Sequence, residues 1–115
     1  MQIQNFNIAD LIQSPSALTR EQGLIVYDKI LPQLNKNNKL VLDFSEIENI
    51  ITPFLIASIG KLYGIFSSDL LQTLLVVSNL PKSTISKIQI VINNAKYYYE
   101  NSDNFKNAVL EVIDN

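Results

Sequence analysis

Few side chains in this 115-residue chain could do chemistry, and the absent types are as informative as those present. Histidine and cysteine are both missing. That removes the commonest general base, the commonest transition-metal ligand and the thiolate nucleophile, so neither a Ser-His-Asp nor a Cys-His centre can be assembled. Asp43, Glu46 and Glu48, with Ser45 among them, bring oxygen ligands into one short stretch. A calcium loop needs a longer acidic series and a central glycine, so these acids read as solvated loop charges; Asp43 could also bond loop amides. Arg20, the only arginine, reads as a solvated first-turn charge that could instead clamp a carboxylate on the domain or on a partner. Thr52-Pro53 has the form of a helix start, with Thr52 as N-cap and Pro53 at the first helical position, where its missing N–H costs nothing.

The elements that must hold these residues alternate between two periodicities. Ile3, Phe6 and Ile8 mark a weak opening strand, broken by Ser14-Pro15-Ser16. Thr19 and Gln22 stand three apart as in a capping box, and Gly23, Val26, Tyr27, Ile30 and Leu34 then share one helical face. Pro32 predicts a kink or an end to that helix, followed by a loop over Asn35–Asn38. The apolar run Leu40-Val41-Leu42-Asp43-Phe44 suits a central strand covered on both faces. Leu55, Ile59, Leu62 and Phe66 form the inward stripe of the second helix. Leu70–Val77 reads as a further buried strand, and a third helix from Ser83 places Ile85, Ile88, Val91, Ile92 and Ala95 on one face. Over Lys96–Glu100 the helix could continue, since Tyr98 or Tyr99 extends its stripe, but Asn93-Asn94 offers a stop and three consecutive tyrosines favour a strand. A short strand is the reading taken, after which Asp103 would cap a last helix carrying Phe105, Ala108, Val109 and Val112. The expected fold is therefore one α/β domain over 1–115, with a small mixed, mostly parallel four-stranded sheet and about four helices.

Composition bounds the function further. With 47% hydrophobic and 17% charged residues the chain can bury a core. Its net charge of −2, with eight lysines spread along it, leaves no basic stripe for phosphates, so no nucleic-acid role is expected. No signal peptide, membrane-spanning run or glycine-rich phosphate loop is evident, and the reading is of a cytoplasmic protein with no metal and no cofactor.

Several of these segments resemble the STAS-like domains, relatives of the sulphate transporter and anti-sigma factor antagonist domains. They are Leu18-Thr19-Arg20-Glu21-Gln22-Gly23, Leu40-Val41-Leu42-Asp43-Phe44, Ile50-Ile51-Thr52-Pro53-Phe54-Leu55 and Ile59-Gly60-Lys61-Leu62-Tyr63, with Asn79 following. The resemblance implies a STAS-like fold and a bacterial partner switch, in which the helix start after the Leu-Asp strand docks a kinase-like ATPase anti-sigma factor. In many members a serine there is the phosphoacceptor, within a pattern close to Asp-Ser-Ser-Gly. This chain has Ile51-Thr52-Pro53-Phe54 at that place, so only Thr52 keeps a hydroxyl and only Thr52 could be the phosphoacceptor.

The second helix carries the strongest anomaly. Phe54, Ile56, Ala57, Tyr63 and Ile65 lie off its inward stripe, and Lys61 is the only charge between Pro53 and Ser68. Either neighbouring helices cover this face or it offers an apolar patch to a partner. The expected function is regulatory protein binding through Thr52, Pro53, Phe54 and Ile56, with Asp43 and Arg20 in support, and no enzymatic activity. The alternative is a non-switching adaptor that self-assembles, as a homodimer for example, through the same helix. Gly60 and Gly64 are expected to let the helix approach the sheet closely rather than to pair two copies.

Overall fold

The computed structural model describes residues 2–114, with side chains from residue 2 to residue 100. The order is β1 (Ile3–Asn7), α1 (Ile8–Ile12), β2 (Ser16–Ala17), α2 (Arg20–Asn35), β3 (Lys39–Asp43), β4 (Asn49–Ile50), α3 (Thr52–Ser58), a 3-10 helix (Gly60–Gly64), α4 (Ser68–Leu74), β5 (Leu75–Ser78) and α5 (Lys82–Asp114). The sheet differs from the expected four strands. Three parallel strands run in the order β1-β3-β5, and β2 and β4 form a separate parallel pair. The expected centre is in place: β3 pairs with β1 on one side and β5 on the other, Leu42 opposite both Phe6 and Val77.

Burial along β3 alternates. Leu40 and Leu42 are fully buried, while Val41 is only half-buried, so one face of the sheet is open and the strand is not sandwiched. A run of apolar residues also fits a half-covered parallel strand when its neighbours on the open face are polar, as Asn5 and Asn7 are here.

The α2 stripe forms as its spacing requires, with Gly23, Val26, Tyr27, Ile30 and Leu34 buried. Pro32 does not end the helix. It sits in the last turn, and the Lys36 amide still reaches the Pro32 carbonyl at 3.2 Å. A proline there loses one internal bond while the helix is already closing, and Asn37 at φ 63° then turns the chain.

Three local predictions fail for identifiable reasons. Ile8 opens α1 instead of ending a strand, because the Asn7 carboxamide oxygen caps it by accepting from the Asp10 amide at 3.1 Å. Most of Leu70–Val77 is helix rather than strand: the Ser67 hydroxyl caps α4 through the Leu70 amide at 3.1 Å, and only Leu75–Ser78 is extended. An apolar run of this length does not distinguish a buried strand from a buried helix, and the capping serine and Asp69 decide it. Lys96–Glu100 is helical, part of a continuous α5, so Asp103 caps no new helix. The stripe predicted at Phe105, Ala108, Val109 and Val112 lies outside the described side chains. On the near half of α5, Ile88 and Val91 face inward as expected, but Ile85 is exposed.

Candidate functional site

The start of α3 is built by the β2–β4 pair. The Ile51 amide donates to the Ala17 carbonyl at 3.1 Å, extending that ladder and holding Ile51 at φ −114°, ψ 158°. Ile51 is thereby the N-cap, and its carbonyl accepts from the Leu55 amide at 3.4 Å. Thr52 is already helical and Pro53 follows it, which corrects the expected assignment of Thr52 as the cap. No side chain caps this end; Pro53 has no N–H, Phe54 is buried and the Leu55 amide is bonded to Ile51, which leaves Thr52 as the exposed first-turn residue with a backbone N–H and a hydroxyl free of capping duty.

The apolar face of α3 divides into two parts. Phe54 has 0% exposure and Ala57 is buried as well, whereas Ile56 is 54% exposed. Phe54 is therefore core and leaves the predicted docking set. Its cover is α2: a Cβ added at Gly23 would lie 2.6 Å from the Phe54 carbonyl oxygen and 2.8 Å from Ala57 Cβ. Only a glycine on α2 lets the two helices come this close. The expected inward residues Leu55, Ile59 and Leu62 are fully buried, though the helix breaks at Ser58 and the 3-10 helix carries the stripe onward. Ser58 lies in this packing with its hydroxyl donating to the Phe54 carbonyl at 2.8 Å.

Between α2, α3, the 3-10 helix and α5 lies a groove of about 520 Å³. Arg20 and Leu24 enter from α2, Thr52 and Ile56 from α3, and Gly60 and Lys61 from the 3-10 helix; α5 forms the far wall with Lys87, Ile90, Val91, Asn94, Ala95, Tyr98 and Tyr99. Gly60 and Gly64 make the close approach, but to α5 and not to the sheet. A Cβ at Gly60 would touch Val91 at 3.3 Å, and one at Gly64 would lie 2.6 Å from the Tyr99 ring. Among the described residues three cations line the groove and no acid does. Lys61 Nζ sits 4.5 Å from the centre of the buried Tyr27 ring, and burial, followed by the nearby Asp28 and Tyr99, pushes the Tyr27 hydroxyl pKa up. Lys87 reaches the Ile50 carbonyl at 3.4 Å.

Asp43 is elsewhere, at the C-terminal end of the parallel sheet. Its carboxylate accepts from Asn79 Nδ2 at 3.0 Å, from the Ser45 amide at 2.9 Å and from the Ser45 hydroxyl at 3.1 Å. Asn79 adopts φ 59°, a left-handed conformation that asparagine tolerates. The Asn79 bond first, and then those of Ser45, hold the Asp43 pKa below the usual carboxylate value. This is a clamp joining the ends of β3 and β5. Asn7 Nδ2 similarly donates to Glu46, joining β1 to the following loop. Asp43 and Arg20 are thus not brought together, since only Arg20 is in the groove.

Thr52, Ile56 and Arg20 of the predicted set do converge on the groove. What sequence reasoning missed is its far wall, because assigning Lys96–Glu100 to a strand removed Tyr98 and Tyr99 from α5. The signal for the helix, that Tyr98 or Tyr99 extends the stripe, stands in the sequence beside the competing strand propensity of three tyrosines. Among the described residues no group of three acidic, histidine or cysteine side chains could hold a metal, and no single helix is long and apolar enough to cross a membrane. Nor is there a buried side-chain nitrogen or oxygen lacking a partner. The arrangement is suited to binding: an uncapped helix end, an apolar trough and a positive rim.

These features define a small α/β domain with a parallel three-stranded sheet and a groove between its helices. The family model described as "STAS-like domain of unknown function (DUF4325)" matches residues 22–84, more than half of the chain, and the chain belongs to that family. No curated protein and no solved structure gives a significant match to it.

Proposed function

We propose that this domain is a regulatory protein-binding module that docks a partner through the start of α3, at Thr52, Pro53 and Ile56. The observation that carries the reading is the uncapped first turn of α3 standing at the lip of the groove, with Ile56 exposed beside it. A partner could complete the hydrogen bonding of that helix end and bury Ile56 in one contact. The absence of histidine and cysteine supports binding over catalysis.

Within the STAS-like family this reading extends to a partner switch. A kinase-like ATPase of the anti-sigma factor type is the expected partner, and Thr52 the phosphoacceptor. Thr52 shares the groove with Arg20 and Lys87, so a phosphate there would gain charge partners. The test is co-expression with a kinase-like ATPase encoded beside the gene, followed by calorimetric binding and intact-mass measurement. Binding that Ile56→Asp abolishes is expected, with any added phosphate on Thr52. Phosphate found only at other sites would remove the switch, and binding indifferent to Ile56→Asp would remove the docking face.

A further inference from the structure

We infer that the groove receives the terminal segment of α5 from a second copy of this chain, and that two copies close reciprocally into a twofold dimer. The inference rests on the reading of the groove as a protein-docking surface and names its occupant.

The groove calls for an apolar segment carrying negative charge, because Ile56, Ile90 and Tyr98 are 54%, 58% and 63% exposed beside a rim of Arg20, Lys61 and Lys87. The sequence of 101–115 has that character. It holds Asp103, Glu111 and Asp114 against the single Lys106, with Phe105, Ala108, Val109 and Val112 at helical spacing. Val91, Tyr98, Phe105 and Val112 recur every seven residues, and the first two line the groove. One heptad phase thus continues from the groove wall into the terminal segment, as in helices that pair along a seam.

The same copy cannot supply the segment. Residues 87–99 and 101–114 belong to one helix, and a helix that walls the groove with its first half cannot lay its second half there without breaking. A second copy running antiparallel can. With the twofold axis near residue 100, each copy presents a groove and contributes a segment, so the same contact forms twice and assembly stops at two. The opposite charges favour this register and make it sensitive to salt.

Analytical ultracentrifugation of the full chain over a concentration series tests the proposal, with melting curves to establish that each variant is folded. Wild-type protein should dimerise reversibly and dissociate as salt is raised. Ile90→Asp in the groove and Phe105→Asp in the segment should each weaken dimerisation by about 30-fold or more. Tyr98→Ala replaces Ile90→Asp if the latter melts early. A wild-type monomer at all concentrations, or a dimer that neither substitution weakens, overturns the inference. A monomer that still binds a partner through Ile56 defeats self-association alone. A dimer formed as predicted, with Ile56→Asp leaving partner binding intact, defeats the docking lip and not the dimer.

Discussion

Replacing Phe54 and Ile56 separately gives two opposite outcomes from neighbouring residues on one helix. Phe54 has no exposed surface, and the helix against it has already reached its limit of approach, with Gly23 packed on the Phe54 carbonyl. Phe54→Ala therefore removes a fully buried ring from the core and leaves a void. Such truncations cost about 3–5 kcal/mol, and the cost rises as the site collapses less. For a domain of this length each kcal/mol lowers the melting temperature by about 4 °C, so the expected drop is about 12–20 °C. Against a total stability of about 5–15 kcal/mol, much of the folding free energy would be lost. Ile56 is 54% exposed, and Ile56→Ala should change stability by about 0.5 kcal/mol or less. Urea titrations followed by far-ultraviolet circular dichroism measure both. Equal losses, or a Phe54→Ala protein as stable as wild type, would refute the division of α3 into a covered face and an open one.

Two further outcomes follow from the geometry. Gly23→Ala and Gly64→Ala both place a Cβ 2.6 Å from a neighbour, yet the first meets a backbone carbonyl and the second a tyrosine ring. Thermal melts should show Gly23→Ala destabilised by about 1–3 kcal/mol in spite of its gain in helix propensity, and Gly64→Ala affected less because the Tyr99 ring can swing aside; the reverse order would contradict the packing. Asp43→Ala removes a carboxylate whose pKa is lowered in the fold, so its stabilisation is present above the unfolded value near pH 4 and disappears as pH falls through the folded one. Wild type and variant should therefore differ in melting temperature at pH 7 and converge in strong acid, and a constant difference across that range would exclude the linkage.

The parts of this fold legible in the sequence are those where one local signal stood without a rival. Thr19 and Gln22 form the capping box they spell, with the Thr19 hydroxyl accepting from the Gln22 amide at 3.0 Å and the Gln22 carboxamide accepting from the Thr19 amide at 3.1 Å. The α2 stripe and the central position of β3 follow in the same way. Where two signals competed, tertiary context decided. Thr52 had the side chain of a cap, but the ladder between Ile51 and Ala17 fixed the extended residue one position earlier. Three tyrosines favoured a strand by propensity, yet Tyr99 packs where Gly64 leaves room, and the helix runs on. Phe54 lay off a stripe drawn for one buried face, whereas α3 is covered on a second side by α2. A single-face pattern cannot anticipate a helix held between two others.

The family match covers one side of the groove and not the other. The family match ends at residue 84, in the first turns of α5. Thr52, Ile56, Gly60 and Lys61 lie inside the match, while Lys87, Ile90, Asn94 and Tyr98 lie beyond it. The family match thus includes the lip and stops short of the wall that shapes the trough and supplies two of its exposed apolar side chains. Affinity at such a surface depends on the apolar side chains it can bury at its centre, and charge at the rim mainly steers and selects. If a partner docks here as proposed, affinity would then depend chiefly on Ile56, Ile90 and Tyr98, and selection on the rim charges Arg20, Lys61 and Lys87.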